Sequence, residues 1–251
     1  MRAKLQYLLR VALASILLLT LAPQRLVNAK GLEERSLSRS LEYALNKKEI
    51  DHLKNLLSLT GDENLIKRYK NFIKTFPNAR WNVSVGETLK DGRICLKLQI
   101  TGKKILKNEQ YVLRSNQKLG VNFAEGKVIN QELISEETII QIGSNPLSIS
   151  LNIPEVVLTG SNYDFDVILN NPLGNAVLAG GLIPITNKQF INQFSPDMEL
   201  MPLGGGGLFK SVKAPLKKGI QKWAAVLAHP EGLISITKMV RIVTNQSEIE
   251  L

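Results

Sequence analysis

The sequence predicts an α+β domain followed by an all-β sandwich domain, behind an N-terminal signal peptide. Three observations carry this reading. Apolar residues recur every three or four positions through residues 35–76, the spacing of an amphipathic helix. From Ala79 the period changes to two, the spacing of a half-buried strand. Beyond the turn cluster Gly143-Ser144-Asn145-Pro146 the chain reads as short strands between Gly- and Pro-rich turns, with no helical pattern.

Residues 1–10 are basic, with Arg2, Lys4 and Arg10, and residues 11–22 are an unbroken run of apolar and small side chains. Pro23 and the small-residue site Val27-Asn28-Ala29 follow, the order of a secretory signal peptide cleaved after Ala29. The alternative is an uncleaved N-terminal anchor, which the apolar run disfavours because it falls short of the about 20 residues that span a bilayer. The expected mature chain therefore starts at Lys30 and is exported to a periplasmic or extracellular location. Cys95 is the single cysteine, so no intrachain disulfide can form and packed cores must supply stability. It alternates with Ile94, Leu96 and Leu98 in a strand pattern, which reads as a buried small hydrophobe rather than a nucleophile.

Charge divides the chain. Residues 30–146 carry 20 basic and 14 acidic side chains, whereas residues 147–251 carry eight of each. The shift supports two domains, 30–146 and 147–251, and places electrostatic partners on the first.

Leu37, Leu41, Ala44 and Leu45 form one helical stripe, which Asn46-Lys47-Lys48 interrupts. Ile50, Leu53, Leu56 and Leu57 form a second, ended by Thr60-Gly61. Thr60 and Glu63 can close a capping box, and Asp62 and Glu63 suit a positive helix N-terminus. Leu65, Ile66, Tyr69, Phe72, Ile73 and Phe76 form the third stripe, which Pro77 stops. Strands are expected at 81–85 and 94–100 around the Asp91-Gly92 turn, then at 111–113, 119–123, 128–133 and 138–142, with Glu125-Gly126 as a further turn. Helices before an antiparallel sheet is the α+β order. In the second domain, strands are expected at 147–153, 163–169, 176–185, 208–214, 222–228 and 233–243.

Over residues 35–142 three segments stand in order: "ENLIKRYKNFIKTFPNARWNVSV", "DGRICLKLQITGK" and "VNFAEGKVINQELISEETII". Together with the preceding "NKKEIDHLKNLLS" helix, this order resembles the nuclear transport factor 2-like superfamily, in particular its polyketide cyclase-like branch. The resemblance implies a curved sheet wrapped around helices into a cone with a central cavity, and a homodimer formed through the open sheet face. The chain departs from that pattern between its second and third helices, where about five residues replace a strand pair. It also lacks an evident acid–base residue in the cavity: Asp91 lies in a turn, and Glu132, Glu136 and Glu137 are expected to flank a strand. The second half, with "LTGSNYDFDVIL" and "KWAAVLAHPEGLISITKMVRIV", resembles an immunoglobulin-like or fibronectin type III-like sandwich with Trp223 in its core, without the cysteine pair of an immunoglobulin domain.

The pocket candidates of the first domain are Tyr43, Tyr69, Phe72, Trp81, Tyr111 and Phe123, whose rings would line a cavity or fill a core. Lys67, Arg68, Lys70 and Lys74 on the third helix, and Lys103, Lys104 and Lys107 in a turn, are candidate contacts to anions or anionic lipid. Exposed aromatics are not interleaved with these cations, so nucleic acid is not an expected partner. His52 reads as surface or edge packing. The glycine run at 204–207 precedes Leu208-Phe209-Lys210, not the Gly-Lys-Ser/Thr that a phosphate loop needs, and reads as a mobile loop. Neither histidine nor the single cysteine belongs to a metal motif, and no cofactor is indicated. The function this supports is an exported, non-enzymatic binding or scaffold protein of the cell envelope, acting through protein contacts; a separate reading is peripheral attachment to an anionic envelope surface through the basic groups. The alternative is a small-molecule carrier or an isomerase- or cyclase-like enzyme using the cone cavity, with Tyr69 or Tyr111 positioning the ligand.

Overall fold

The computed structural model describes residues 31–57, 63–143, 147–170, 176–186, 188–189 and 197–249. The expected leader, the Thr60 cap, the connection at 58–62 and the turn residues Ser144, Asn145, Pro146, Asn171 and Pro172 lie outside these. Helices come first and a largely antiparallel strand region follows.

Helix α1 (Gly31–Lys47) buries the predicted stripe of Leu37, Leu41, Ala44 and Leu45. It ends where Lys48 takes the left-handed region at φ 61°, letting the Glu49 amide donate to the Ala44 carbonyl at 3.0 Å. Helix α2 (Ile50–Leu56) is two turns long and buries Leu53. Helix α3 (Glu63–Thr75) buries Leu65, Ile66, Tyr69 and Phe72, and Pro77 follows its last turn.

Strands β1 (Arg80–Thr88), β2 (Ile94–Leu106), β3 (Glu109–Ala124) and β4 (Lys127–Gly143) pair in sequence order. The β2–β3 and β3–β4 turns each place two residues at positive φ: Lys107 and Asn108 at 51° and 63°, Glu125 and Gly126 at 52° and 74°. Two-residue turns of this hand match the twist of the strands they join. These strands are longer than the alternation predicts. β3 is one strand where two are expected, because Ser115 and Gln117 take inward, buried positions and continue the alternation with polar side chains. β4 likewise runs through Ser135-Glu136-Glu137, so these acids lie within a strand rather than beside one.

The described residues divide into two compact units: those from Gly31 to Lys103 with Arg114–Glu136, and Lys104–Leu113 with those from Glu137 onward. In the second unit, the end of β4 pairs with β12 (Gly232–Val243), from Gly143 opposite Gly232 to Glu137 opposite Lys238. Strands β11 (Gly219–His229), β8 (Leu178–Ile185) and β9 (Met201–Leu203) continue that sheet, and β6 (Val156–Leu158) adds to β12 in parallel. A second sheet has the order β10 (Gly207–Lys213), β7 (Asn162–Leu169), β5 (Ile149–Asn152). One hydrophobic cluster draws on both sheets, with Tyr163, Phe165 and Val167 of β7 meeting Trp223, Ala225 and Leu227 of β11 and Ile234, Ile236 and Val240 of β12. Every residue from 234 to 240 on β12 is buried, so this strand has both faces covered.

Candidate functional site

The first unit holds an aromatic group at the junction of α3 and β1. Tyr69, Phe72 and Trp81 are buried, with ring centroids 6.1 Å apart for Tyr69–Trp81 and 5.4 Å for Phe72–Trp81. Phe76 joins Phe72 at 6.1 Å. Tilted and edge-on contacts at these distances are the favoured aromatic geometries. The Tyr69 hydroxyl donates to the Leu45 carbonyl at 2.5 Å, and burial pushes its pKa up to about 12. Asn46 of α1 holds Trp81 through both backbone groups.

Of the six pocket candidates, then, three form one packed group. Phe123 is buried on β3 and Tyr111 is buried in the second compact unit. Tyr43 differs from expectation. It stands 50 % exposed on α1, beside the His52 ring at 6.4 Å, because it falls one position short of the Leu37/Leu41/Ala44 stripe. His52 also lies 3.9 Å from Glu49, a surface position.

A charged group surrounds Arg93, between β1 and β2. Its Nη2 lies 2.6 Å from Asp91 and its Nη1 2.6 Å from Glu132 of β4, and its Nε donates to Asp91 at 2.7 Å. Burial opposes charge on Asp91, but hydrogen bonds and the guanidinium charge of Arg93 hold its carboxyl below the ordinary range. Burial likewise opposes charge on Arg93, and the two carboxylates raise its pKa. A Cβ at Gly120 would sit 3.1 Å from the Arg93 guanidinium, so the arginine packs closely against β3 at this glycine. Close by in sequence, Leu89 and Cys95 form a small apolar cluster with Ile134, and Cys95 is buried. Sequence reasoning sees Asp91 and Glu132 separately. It misses that one arginine joins them, because 39 positions separate Arg93 from Glu132.

The basic residues divide. Lys67, Lys70 and Lys74 are exposed on α3, but Arg68 is 4 % exposed and leaves the predicted cationic face. The helix repeat accounts for it: Arg68 follows Leu65 by three and precedes Phe72 by four, which places it on the buried stripe. Lys103 and Lys104 lie on β2 rather than in a turn, since the strand extends to Leu106, and only Lys107 occupies the turn. Lys103 and Lys107 are exposed, beside Ile105 at 77 % exposure.

In the second unit the Trp223 indole donates to the Tyr163 hydroxyl at 2.9 Å, which donates to Gln221 at 2.8 Å. Trp223 is the buried core aromatic that the sequence predicts. Lys238, 4 % exposed, pairs with Glu137 directly opposite on β4 at 3.0 Å. Large apolar side chains stand exposed on or beside edge strands: Met201 on β9, Phe209 on β10, and Val177 just before β8. The connection from β10 to β11, with the strand ends it joins, exposes Leu216 and Ile220 among Lys213, Lys217 and Lys218. A sequence signal for it exists, since residues 200–230 contain five lysines and no acidic residue.

Among the described residues no group of three His, Cys, Asp or Glu side chains could hold a metal ion, and no helix is long and apolar enough to cross a membrane. The charged groups described above are arranged to hold one another and to hold strands together. No curated protein matches the chain. Residues 144–243, which run from before β5 to the end of β12, match a family described as a domain of unknown function, DUF8623.

Proposed function

We propose that this is an exported, non-enzymatic binding or scaffold component of the cell envelope. Under this reading residues 30–146 are a nuclear transport factor 2-like cone and residues 147–251 an immunoglobulin-like sandwich that docks protein partners. The observation that carries the docking role is the placement of Met201 and Phe209, 64 % and 60 % exposed, on β9 and β10. Each of these strands ends its sheet, so each presents one backbone edge without a neighbouring strand among the described residues. An apolar side chain beside such an edge suits strand addition by a partner. The aromatic group of Tyr69, Phe72 and Trp81 supports the non-enzymatic half of the reading, because rings in mutual contact occupy interior volume that a ligand would need.

The test is affinity capture from the protein's own envelope fraction with the natural chain and with Met201→Asp and Phe209→Asp. A defined partner retained by the natural chain and lost from either variant supports the proposal. Identical retention by all three proteins, or a stoichiometric small molecule in place of a partner, overturns it.

The carrier or enzyme reading has one observation in its favour: Glu136 on β4 is fully buried. Under that reading Glu136→Gln abolishes binding or turnover of a small molecule and leaves partner capture unchanged.

A further inference from the structure

We propose that the connection between β10 and β11, from Lys213 to Ile220, is a contact site for an anionic phospholipid bilayer. This goes beyond the protein-docking role and does not depend on it.

Leu216 is 85 % exposed, more than any other large apolar side chain among the described residues, and Ile220 is 44 % exposed. Every residue from 215 to 220 is exposed. The exposure is imposed by the fold. The Ala214 amide donates to the Ser161 carbonyl at 2.8 Å, and the Gly160 amide donates to the Pro215 carbonyl at 3.1 Å. Ala214 itself is buried in the core cluster. These ties fix the backbone on either side of Pro215 and leave the next residue facing outward. Gly160, at φ 71°, is the residue beneath it, and a Cβ there would come within 3.0 Å of Leu216 Cδ2.

The loop's own charges are of one sign, and Asp164 lies on the neighbouring strand β7, opposite Ser211. Lys213, Lys217 and Lys218 are exposed, and no acidic residue occurs between Glu199 and Glu231. The acid that reaches the loop is Glu248, paired with Lys218. Lysine stems lie along an apolar surface while their ammonium groups reach outward, so an aliphatic tip ringed by lysines suits the boundary between acyl chains and anionic headgroups. The charges would act over about a Debye length and the leucine at contact, so each half of the motif requires the other.

The side-chain chemistry favours a bilayer over a protein or a nucleic acid. Protein interfaces are enriched in aromatics and arginine and depleted in lysine. Single-stranded nucleic acid is gripped by exposed aromatics among cations. The exposed part of this loop has aliphatic residues and lysines, with neither aromatics nor arginine.

The experiment is flotation of the protein, in the form its cell exports, with vesicles of phosphatidylcholine alone or of phosphatidylcholine and phosphatidylglycerol at about two to one. Binding to the anionic vesicles at low salt and its loss at high salt are expected. The triple variant Lys213→Gln, Lys217→Gln, Lys218→Gln should bind at least about tenfold more weakly, and Leu216→Asp at least about fivefold. Ile129→Asp, at a half-exposed residue of β4, should bind like the natural chain, which separates loss at this site from a general effect of an added acid. A Leu216→Trp variant gives a second readout that does not depend on a loss: its added fluorescence should be quenched by brominated phosphatidylglycerol, because Trp81 and Trp223 are buried. Equal binding to neutral vesicles, no binding to anionic vesicles, an unaffected triple variant, or an unquenched indole signal from the Leu216→Trp variant would each overturn the proposal. Retention on heparin without vesicle binding would point instead to a soluble polyanion and overturn it as well.

Discussion

The Asn46 side chain of α1 completes the edge of β1 by bonding both backbone groups of Trp81. Its Nδ2 donates to the Trp81 carbonyl at 2.8 Å and its Oδ1 accepts from the Trp81 amide at 2.9 Å. One turn earlier on the helix, Glu42 accepts from the Val83 amide at 2.8 Å. A side-chain amide has the same donor–acceptor pair as a neighbouring strand, so α1 supplies what β1 lacks on that side. An uncovered edge strand invites pairing with another chain, and covering it with a helix removes that hazard. Asn46→Ala should therefore lower stability by about 2 kcal/mol, since two part-buried backbone groups lose their partners. Urea unfolding measures this, and light scattering near the midpoint should show more self-association than in the natural chain. Asn46→Asp keeps the acceptor and loses the donor, and should fall between the two.

Tyr69 links the same helix to the aromatic group from the other side. Its hydroxyl donates to Leu45, immediately before Asn46, and burial raises its pKa to about 12. An unfolded tyrosine ionises near 10. Between these values the folded state holds a proton that the unfolded state releases, so folding weakens as pH rises from about 10 towards 12 and is unaffected by this group below 10. Tyr69→Phe should cost about 1 kcal/mol at neutral pH through the lost hydrogen bond and flatten that alkaline decline. Urea midpoints measured from neutral pH to strongly alkaline pH check both effects. An unchanged alkaline slope in the variant would assign the decline to other groups.

The helical stripes are legible because each needs only local spacing: Leu37, Leu41, Ala44 and Leu45 are all buried, as are Leu65, Tyr69 and Phe72. The lengths of β3 and β4 are not legible, because Ser115, Gln117, Ser135 and Glu136 occupy buried positions where alternation leads one to expect apolar residues. β6 is hidden for a different reason. Three residues carry no period, and their parallel pairing with β12 joins Val156 to Arg241 across most of the second unit. The same non-locality hides the tie from Trp223 to Tyr163, although Trp223 as a core residue is evident from its apolar neighbours. The Lys213–Ile220 surface lies between these cases. Its charge is plain in the sequence, and only the bonds at Ala214 and Gly160 reveal that Leu216 is held outward.

Lys238 and Glu137 test how the end of β4 is fastened to β12. Lys238 is buried on β12 between Thr237 and Met239, and its ammonium lies 3.0 Å from the Glu137 carboxylate. Removing one partner of a buried pair strands the other charge, whereas replacing both with apolar residues of similar size can be nearly neutral. Glu137→Leu alone should therefore cost about 3 kcal/mol, Lys238→Met alone should also destabilise, and the double variant Glu137→Leu, Lys238→Met should cost clearly less than Glu137→Leu alone. Chemical denaturation of the four proteins of this cycle measures the coupling, and simple addition of the two single costs would show the pair to be uncoupled.

Asp91 predicts an acid limit to the stability of the first unit. Arg93 holds its carboxyl below the usual range, although burial acts in the opposite sense. A depressed folded-state pKa contributes stability that is complete above the unfolded value of about 4 and is lost as pH falls through the folded one. The natural chain should accordingly lose stability progressively below about pH 4, and Asp91→Asn should lose less over the same interval while starting from a lower value at neutral pH. Because Asp91 is 45 % exposed, solvent screens much of the attraction, and the difference between the two proteins should shrink further in high salt. Arg93→Gln provides the complementary check. It removes the partner of both Asp91 and Glu132, so its acid profile should follow that of Asp91→Asn, while its neutral-pH cost should be larger because the side chain packed against Gly120 is also lost.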